Sequence, residues 1–276
     1  MTVQRALAVG TGILKDAGIA GAARDARVIM AASLGIDPGR VTLHLQDDIE
    51  APLEIRFFAL IQQRAERVPV SHIVGGRMFY GRWFAVNGDV LDPRPETETL
   101  IETALAAPFQ KVLDLGTGSG AILVTLLAER PGATGTATDI SAAALRVAEQ
   151  NAGALGVADR MTLVKSDWFA GVGGQFDLIV SNPPYIARAE MDDLAEELTF
   201  EPRTALTDEA DGLSAYYTIA EGAGEHLMPG GRLMVEIGRT QAVAVTDIFA
   251  EAGFADIQIL PDMDGRDRVV SAKLGG

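Results

Sequence analysis

The residues of this chain best suited to chemistry are Asn182-Pro183-Pro184-Tyr185, which follow the apolar run Phe176-Asp177-Leu178-Ile179-Val180. A β-branched run that ends in Asn-Pro-Pro reads as a buried strand, stopped where proline removes the backbone donors. At the carboxyl end of a parallel strand, where open α/β sheets bind ligands, this gathers an amide, two rigid carbonyls and an aromatic ring. The Asn182 and Pro183 carbonyls can each accept one hydrogen of an NH2 group, and Tyr185 offers a face on which a flat amide or base can stack. Such a nitrogen is a poor nucleophile because its lone pair is delocalised. The task of a catalyst is then to hold it so that the lone pair points at an electrophile. No general base is required.

The elements that must position this motif follow from the sequence before and after it. Residues 111–116 predict a strand, Gly116-Thr117-Gly118-Ser119-Gly120 a glycine loop and 121–129 a helix. Glycines let the backbone approach a ligand closely, and a helix N-terminus supplies free N–H groups, so the loop reads as a nucleotide-type cradle. The same residues also satisfy the relaxed dinucleotide fingerprint, so the neighbours must decide. The strand 135–138 ends at Asp139, about 20 residues beyond the loop, where a carboxylate can accept from both ribose hydroxyls. After a helix at 142–154, the strand 161–165 ends in Ser166-Asp167-Trp168. There Asp167 can accept from the exocyclic amine of adenine while Trp168 walls the ring. The strand 176–181 carries the opening motif. Downstream, the pattern gives a helix at 213–227, a turn at Met228-Pro229-Gly230-Gly231, a strand at 232–238, a helix at 240–252 and closing strands at 256–260 and 268–273.

Upstream, helical patterns at 3–17, 22–34 and 51–68 predict a small helical domain. Residues 71–95 change texture, with glycines punctuating Met78-Phe79-Tyr80 and Trp83-Phe84-Ala85-Val86. This reads as a β-hairpin linker with Asn87-Gly88 as its tight turn. The expected organisation is a helical recognition domain (1–72), a hairpin linker (73–95) and an α/β catalytic domain (96–276).

Composition bounds the function. The 276 residues carry a formal charge of −15 and no cysteine, which excludes a disulfide, a thiolate metal site and a cysteine nucleophile. His44, His72 and His226 lack metal spacing, and no metal is expected. Residues 1–75 are balanced, with 8 Lys+Arg and 8 Asp+Glu, so the whole excess of acid lies beyond them. An acidic body argues against docking along a phosphate backbone. Residues 188–211 alone hold nine Asp+Glu against two Arg. A stretch this long is read as a solvated loop, or more sharply as a gate beside the pocket that disfavours nucleic acid. No apolar run approaches the roughly 18 residues of a membrane span. A cytoplasmic monomer is expected.

With these features on four successive strands, the second domain resembles a class I S-adenosylmethionine-dependent methyltransferase. More closely, the whole chain is similar to the HemK/PrmC family. The resemblance rests on the Asn-Pro-Pro-Tyr motif together with Pro93-Arg94-Pro95-Glu96-Thr97-Glu98, Glu236-Ile237-Gly238 and Gly265-Arg266-Asp267-Arg268-Val269-Val270. It implies a doubly wound, mostly parallel seven-stranded methyltransferase sheet preceded by a small all-helical domain. It also implies methylation of the glutamine amide in the Gly-Gly-Gln loop of peptide chain release factors, with S-adenosylhomocysteine as the second product. Cofactor contacts would come from Gly116 through Gly120, Asp139, Asp167, Trp168 and Asn182, and Asn182 to Tyr185 would hold the amide. Asp92 stands where the family pattern leads us to expect an apolar residue. The Asn-Pro-Pro-Tyr motif is shared with adenine-amino methyltransferases, which flip the base out, so DNA or RNA adenine is one alternative substrate and a glutamine of a ribosomal protein another. A non-catalytic nucleotide-binding scaffold leaves the intact motif unused, and a nicotinamide dehydrogenase leaves it unexplained.

Overall fold

The computed structural model describes residues 1–275, which divide into two compact units. The first comprises Met1–Gly76 and the short segment Ala195–Phe200. Its helices are α1 (Val3–Asp16), α2 (Ala22–Leu34), α3 (Ala51–Ala65) and α4 (Val70–Val74). Thr2 caps α1 by accepting from the Arg5 amide, and Gly35 closes α2 in the left-handed conformation, the pattern expected of Thr and Gly at these ends. Leu14, Ile29, Met30, Phe57 and Ile61 are fully buried in a core of their own. The helix expected over 51–68 stops at Ala65. Pro69 restricts the residue before it and lacks a donor, Arg67 turns the chain with a positive φ, and α4 starts beyond.

Arg64 sits at a core-facing position of α3, and its buried guanidinium is held by Asp25 at 2.7 Å and Glu197 at 3.1 Å. Glu196 and Glu197 also pair with Arg67. The acidic stretch is therefore not one solvated loop. Its 195–200 segment belongs to the helical unit, and further along it lines the cavity described below.

The hairpin β1 (Gly76–Phe79) and β2 (Arg82–Ala85) follows, and the second unit starts within it at Arg77. Its turn is Tyr80-Gly81, both at positive φ, and not the expected Asn87-Gly88. Positive φ at both positions is the mark of a type I′ loop, whose twist matches that of the strands. Tyr80 adopts it and gives its N–H to Glu98 Oε1 at 2.9 Å. Asn87 instead makes a side-chain turn, its Oδ1 accepting from the Asp89 amide.

Then follow α5 (Glu98–Leu105), β3 (Lys111–Leu115), α6 (Ala121–Glu129), β4 (Thr134–Asp139), α7 (Ala142–Ala154), β5 (Met161–Lys165) and β6 (Phe176–Ser181). The chain closes with α8 (Ser214–His226), β7 (Leu227–Glu236), α9 (Ala242–Glu251), β8 (Phe254–Pro261) and β9 (Asp267–Leu274). The seven-stranded sheet has the order β5-β4-β3-β6-β7-β9-β8, parallel except where β9 pairs antiparallel with β7 and β8. Alternate residues of each inner strand face opposite cores. Val112, Leu178 and Val180 pack on one side with α5 and α6, while Leu113, Ile179 and Leu233 pack on the other with α8 and α9. This double burial is why the strands read as continuous apolar runs. The turn expected at 228–231 lies inside β7, where pairing jumps from Phe176↔Leu227 to Leu178↔Arg232. The extra residues bulge, with Gly230 at positive φ. Among the described residues no helix is long and apolar enough to cross a membrane, and no group of His, Asp and Glu is placed to hold a metal ion.

Candidate active site

The carboxyl ends of β3, β4, β5 and β6 bring the glycine loop, Asp139, Asp167 and Asn182 to one edge of the sheet, where the strand order reverses about β3. They border a cavity of about 470 Å3 within the second unit. Gly116, Thr117, Gly118, Ser119, Asp139, Asp167, Trp168, Asn182 and Pro184 line it. Gly120, Pro183 and Tyr185 do not.

The glycine loop is built by its own backbone. Gly116 and Gly118 have φ of +68° and +55°, and a Cβ on either would meet no atom within 4 Å. Both leave open space above the loop. Gly120 differs, since its Cβ would meet Ala148 of α7 at 3.1 Å, so this glycine serves helix packing. Asp139 Oδ2 accepts from the Gly118 amide at 2.9 Å and Oδ1 from the Ser141 amide at 2.8 Å. Each oxygen keeps a further lone pair for a ligand hydroxyl. Asn151 of α7, buried, gives Nδ2 to the Ser119 and Ala85 carbonyls and accepts from the Ala85 amide. It ties the loop to the hairpin, a role no local signal revealed.

Beneath the loop Asp114 is fully buried. Its Oδ2 accepts from Thr117 Oγ1 at 2.6 Å, and Oδ1 finds no partner among the described residues. Burial pushes this carboxyl up to about 7, against the lowering effect of the Thr117 hydrogen bond. Burial likewise raises Glu201 to about 6 and Glu236 to about 7. A raised carboxyl means that the folded chain binds more protons than the unfolded one between the usual carboxylate range and about pH 7, so these groups stabilise at low pH and lose that contribution as pH rises through the window. We expect Asp114→Asn to flatten the decline of the thermal midpoint between about pH 5 and pH 7 relative to wild type; an unchanged slope would contradict the burial effect.

Three further residues complete the site. Arg94 Nη2 bonds both oxygens of the buried Glu201 at 2.7 Å each, anchoring the end of the acidic stretch, and Pro202, Thr207 and Asp208 beyond it line the cavity. Thr97 bridges Asn182 and the fully buried Glu236: Asn182 Nδ2 donates to Thr97 Oγ1 at 3.3 Å, and Thr97 donates to Glu236 Oε2 at 2.6 Å. Asp92, also buried on the cavity wall, lies 3.8 Å from Arg77. An ion pair thus accompanies the acid found at this expected apolar position.

Tyr185 turns its hydroxyl to Glu236 Oε1 at 3.4 Å. Burial and the adjacent Glu236 carboxylate push the phenol well above its usual range, so it stays a neutral donor. Its carbonyl is fixed by Gln241 Nε2 at 2.9 Å, which also bonds the Gly212 carbonyl. Gly212 has φ +80°, and a Cβ there would stand 2.3 Å from the Tyr185 oxygen. Gly212→Ala should therefore destabilise by about 1–3 kcal/mol, visible as a lower urea midpoint; an unchanged midpoint would show that this contact relaxes freely.

The comparisons with known proteins agree with this geometry. A family model described as "Methyltransferase small domain" matches residues 89–212, and one described as "PrmC N-terminal domain" matches 5–75. A release factor glutamine methyltransferase of Cereibacter sphaeroides is 57% identical over 275 residues, covering 99% of both chains. One of Rhodospirillum rubrum is 43% identical, covering 99% of this chain and 85% of its own. A methyltransferase crystal structure from Pyrococcus furiosus shares the fold, with a TM-score of 0.58 at 17% identity over 78% of this chain and 100% of its own. Full-length identity at this level, on a sheet whose carboxyl edge carries the glycine loop, Asp139 and Asn182, places the chain in the release factor glutamine methyltransferase family, and it is an S-adenosylmethionine-dependent enzyme.

Proposed function

We propose that this chain methylates the side-chain amide nitrogen of the glutamine in the Gly-Gly-Gln loop of peptide chain release factors, in the cytoplasm. The observation that carries the reading is Asn182 at the cavity wall with its Nδ2 committed to Thr97, so that the atom it offers a guest is the carbonyl oxygen. That oxygen accepts one hydrogen of a planar NH2 group, and the carbonyl of Pro183, a buried residue outside the cavity lining of the free protein, is assigned the other. Two acceptors fix the amide plane and exclude its rotation.

The cavity fits the cofactor through the open space over Gly116 and Gly118 and the spare lone pairs of Asp139. When bound, S-adenosylmethionine supplies a methyl group activated by a positive sulfur. Gly116, Thr117, Gly118 and Ser119 are assigned to its amino-acid part, Asp139 to the ribose, and Asp167 and Trp168 to the adenine. Ser166 Oγ donates to the Trp168 carbonyl at 2.8 Å and accepts from the Gly171 amide, which fixes the positive φ that turns Trp168. Gly120, Tyr185 and Pro184 act as supports of loop, motif and wall. The organisation we propose is a helical recognition domain (1–72), a hairpin linker (73–95) and a catalytic domain (96–276).

Acid in excess of base beyond residue 75 disfavours nucleic acid as the guest. Labelled methyl transfer should reach intact release factor and leave duplex DNA and structured RNA unlabelled at low salt; label on adenine with none on protein would reverse the assignment.

A further inference from the structure

We propose that Thr97 and Glu236 are positioning residues that set which end of the Asn182 amide faces the substrate. This deepens the reading above and rests on it for its consequence in catalysis, although the relay itself is a property of the free protein.

The argument is one of hydrogen-bond direction. A charged carboxylate only accepts. Glu236 takes the Thr97 hydroxyl hydrogen on Oε2 at 2.6 Å and the Tyr185 hydroxyl hydrogen on Oε1 at 3.4 Å. Thr97 has one hydrogen, and it is spent on Glu236. Toward Asn182 the threonine therefore presents only lone pairs, which the Nδ2 end can satisfy and Oδ1 cannot. The distance of 3.3 Å from Nδ2 to Oγ1 is that contact. By elimination Oδ1 faces away from Thr97, as an acceptor for a substrate NH2 group. The polarity of the chain from Glu236 through Thr97 to Asn182 is thus imposed at its buried end.

Protonating Glu236 removes the constraint. The acid can then donate to Thr97 Oγ1, the threonine hydrogen is released toward Asn182, and the flipped amide becomes as good a partner. A flipped Asn182 offers NH2 to an NH2 substrate, donor against donor. Glu236 is faced by Arg268, which favours its charged form, and by Glu96, which opposes it, while Tyr185 donates to its side chain and Tyr216 to its backbone carbonyl. Arg268 is itself shared with Asp262. With burial dominant the carboxyl is raised to about 7, so the productive orientation is lost as pH falls through that region.

Two measurements test the relay. The first is nitrogen-edited NMR of the Asn182 side-chain amide in the free protein across that pH range. Its resonances should titrate near pH 7 in wild type and not in Glu236→Gln; flat wild-type resonances, or the same titration in the variant, overturn the proposal. The second compares kcat for wild type, Thr97→Val and Thr97→Ser on release factor, with cofactor affinity followed by calorimetry. Thr97→Val should lose about 10- to 100-fold in kcat, the scale expected of a misaligned reacting group, with cofactor affinity unchanged, and Thr97→Ser should restore most of it. Val at wild-type kcat, or Ser as poor as Val, overturns the relay. An inactive wild type whose Asn182 amide still titrates would sink the substrate reading and leave the relay standing.

Discussion

Replacing Asn182 with alanine is expected to abolish most methyl transfer while leaving cofactor affinity nearly intact. The side chain lies on the cavity wall and is held from behind by Thr97, itself tied to Glu236, so its orientation is settled before any substrate arrives. Removing an oriented group of this kind costs about 10²- to 10³-fold in kcat. Although the resemblance also implies a cofactor contact from Asn182, the other residues assigned to the cofactor lie after β3, at the end of β4 and after β5, apart from the β6 end that carries Asn182. Calorimetry with the cofactor should therefore give a wild-type curve for the variant. Turnover near wild type would remove Asn182 from the reaction, and lost cofactor binding would move its role to the cradle.

The second large effect is expected at Asp139. Its two oxygens hold the Gly118 and Ser141 amides and are assigned to the ribose hydroxyls. Asp139→Ala removes those acceptors together and frees the Gly118 amide, while the Thr117 amide still bonds the Thr138 carbonyl of β4. Hydrogen bonds to a charged group contribute about 1.5–3 kcal/mol each, so cofactor affinity should weaken by at least tenfold. Asp139→Asn keeps one acceptor oxygen and should fall between the two. Unchanged affinity in Asp139→Ala would leave the carboxylate as a helix cap and nothing more.

Much of the catalytic fold was legible because its signals are local. Residues 22–34, 121–129 and 142–154 read as helices with the limits the structure has, since Gly35, Gly120 and Ser141 mark their ends. The strand ends at Asp139 and Asn182 were legible for the same reason. The hairpin turn was not, because Asn87-Gly88 has the stronger turn chemistry while the observed turn asks a tyrosine to adopt positive φ. Met228 to Gly231 read as a turn because proline and two glycines usually punctuate, whereas here they bulge within β7.

The support of the site was the hardest part to read. Thr97 lies 85 residues from Asn182 and 139 from Glu236. Both segments stood out as parts of a resemblance, yet nothing in their spacing says that a buried acid meets them. The acidic stretch was legible in part, since most of its acids are exposed and its later residues do lie beside the cavity. Its charge suggests solvent, but Glu197 and Glu201 find Arg64 and Arg94, the latter 107 residues earlier. Pairings over such distances exist only once the chain has folded.

The most direct measurement is peptide mass mapping of purified release factor after incubation with this protein and S-adenosylmethionine. A gain of one methyl on the Gly-Gly-Gln glutamine, absent with Asn182→Ala, is the predicted result. An unmodified glutamine, or a methyl found on another residue, would contradict the account.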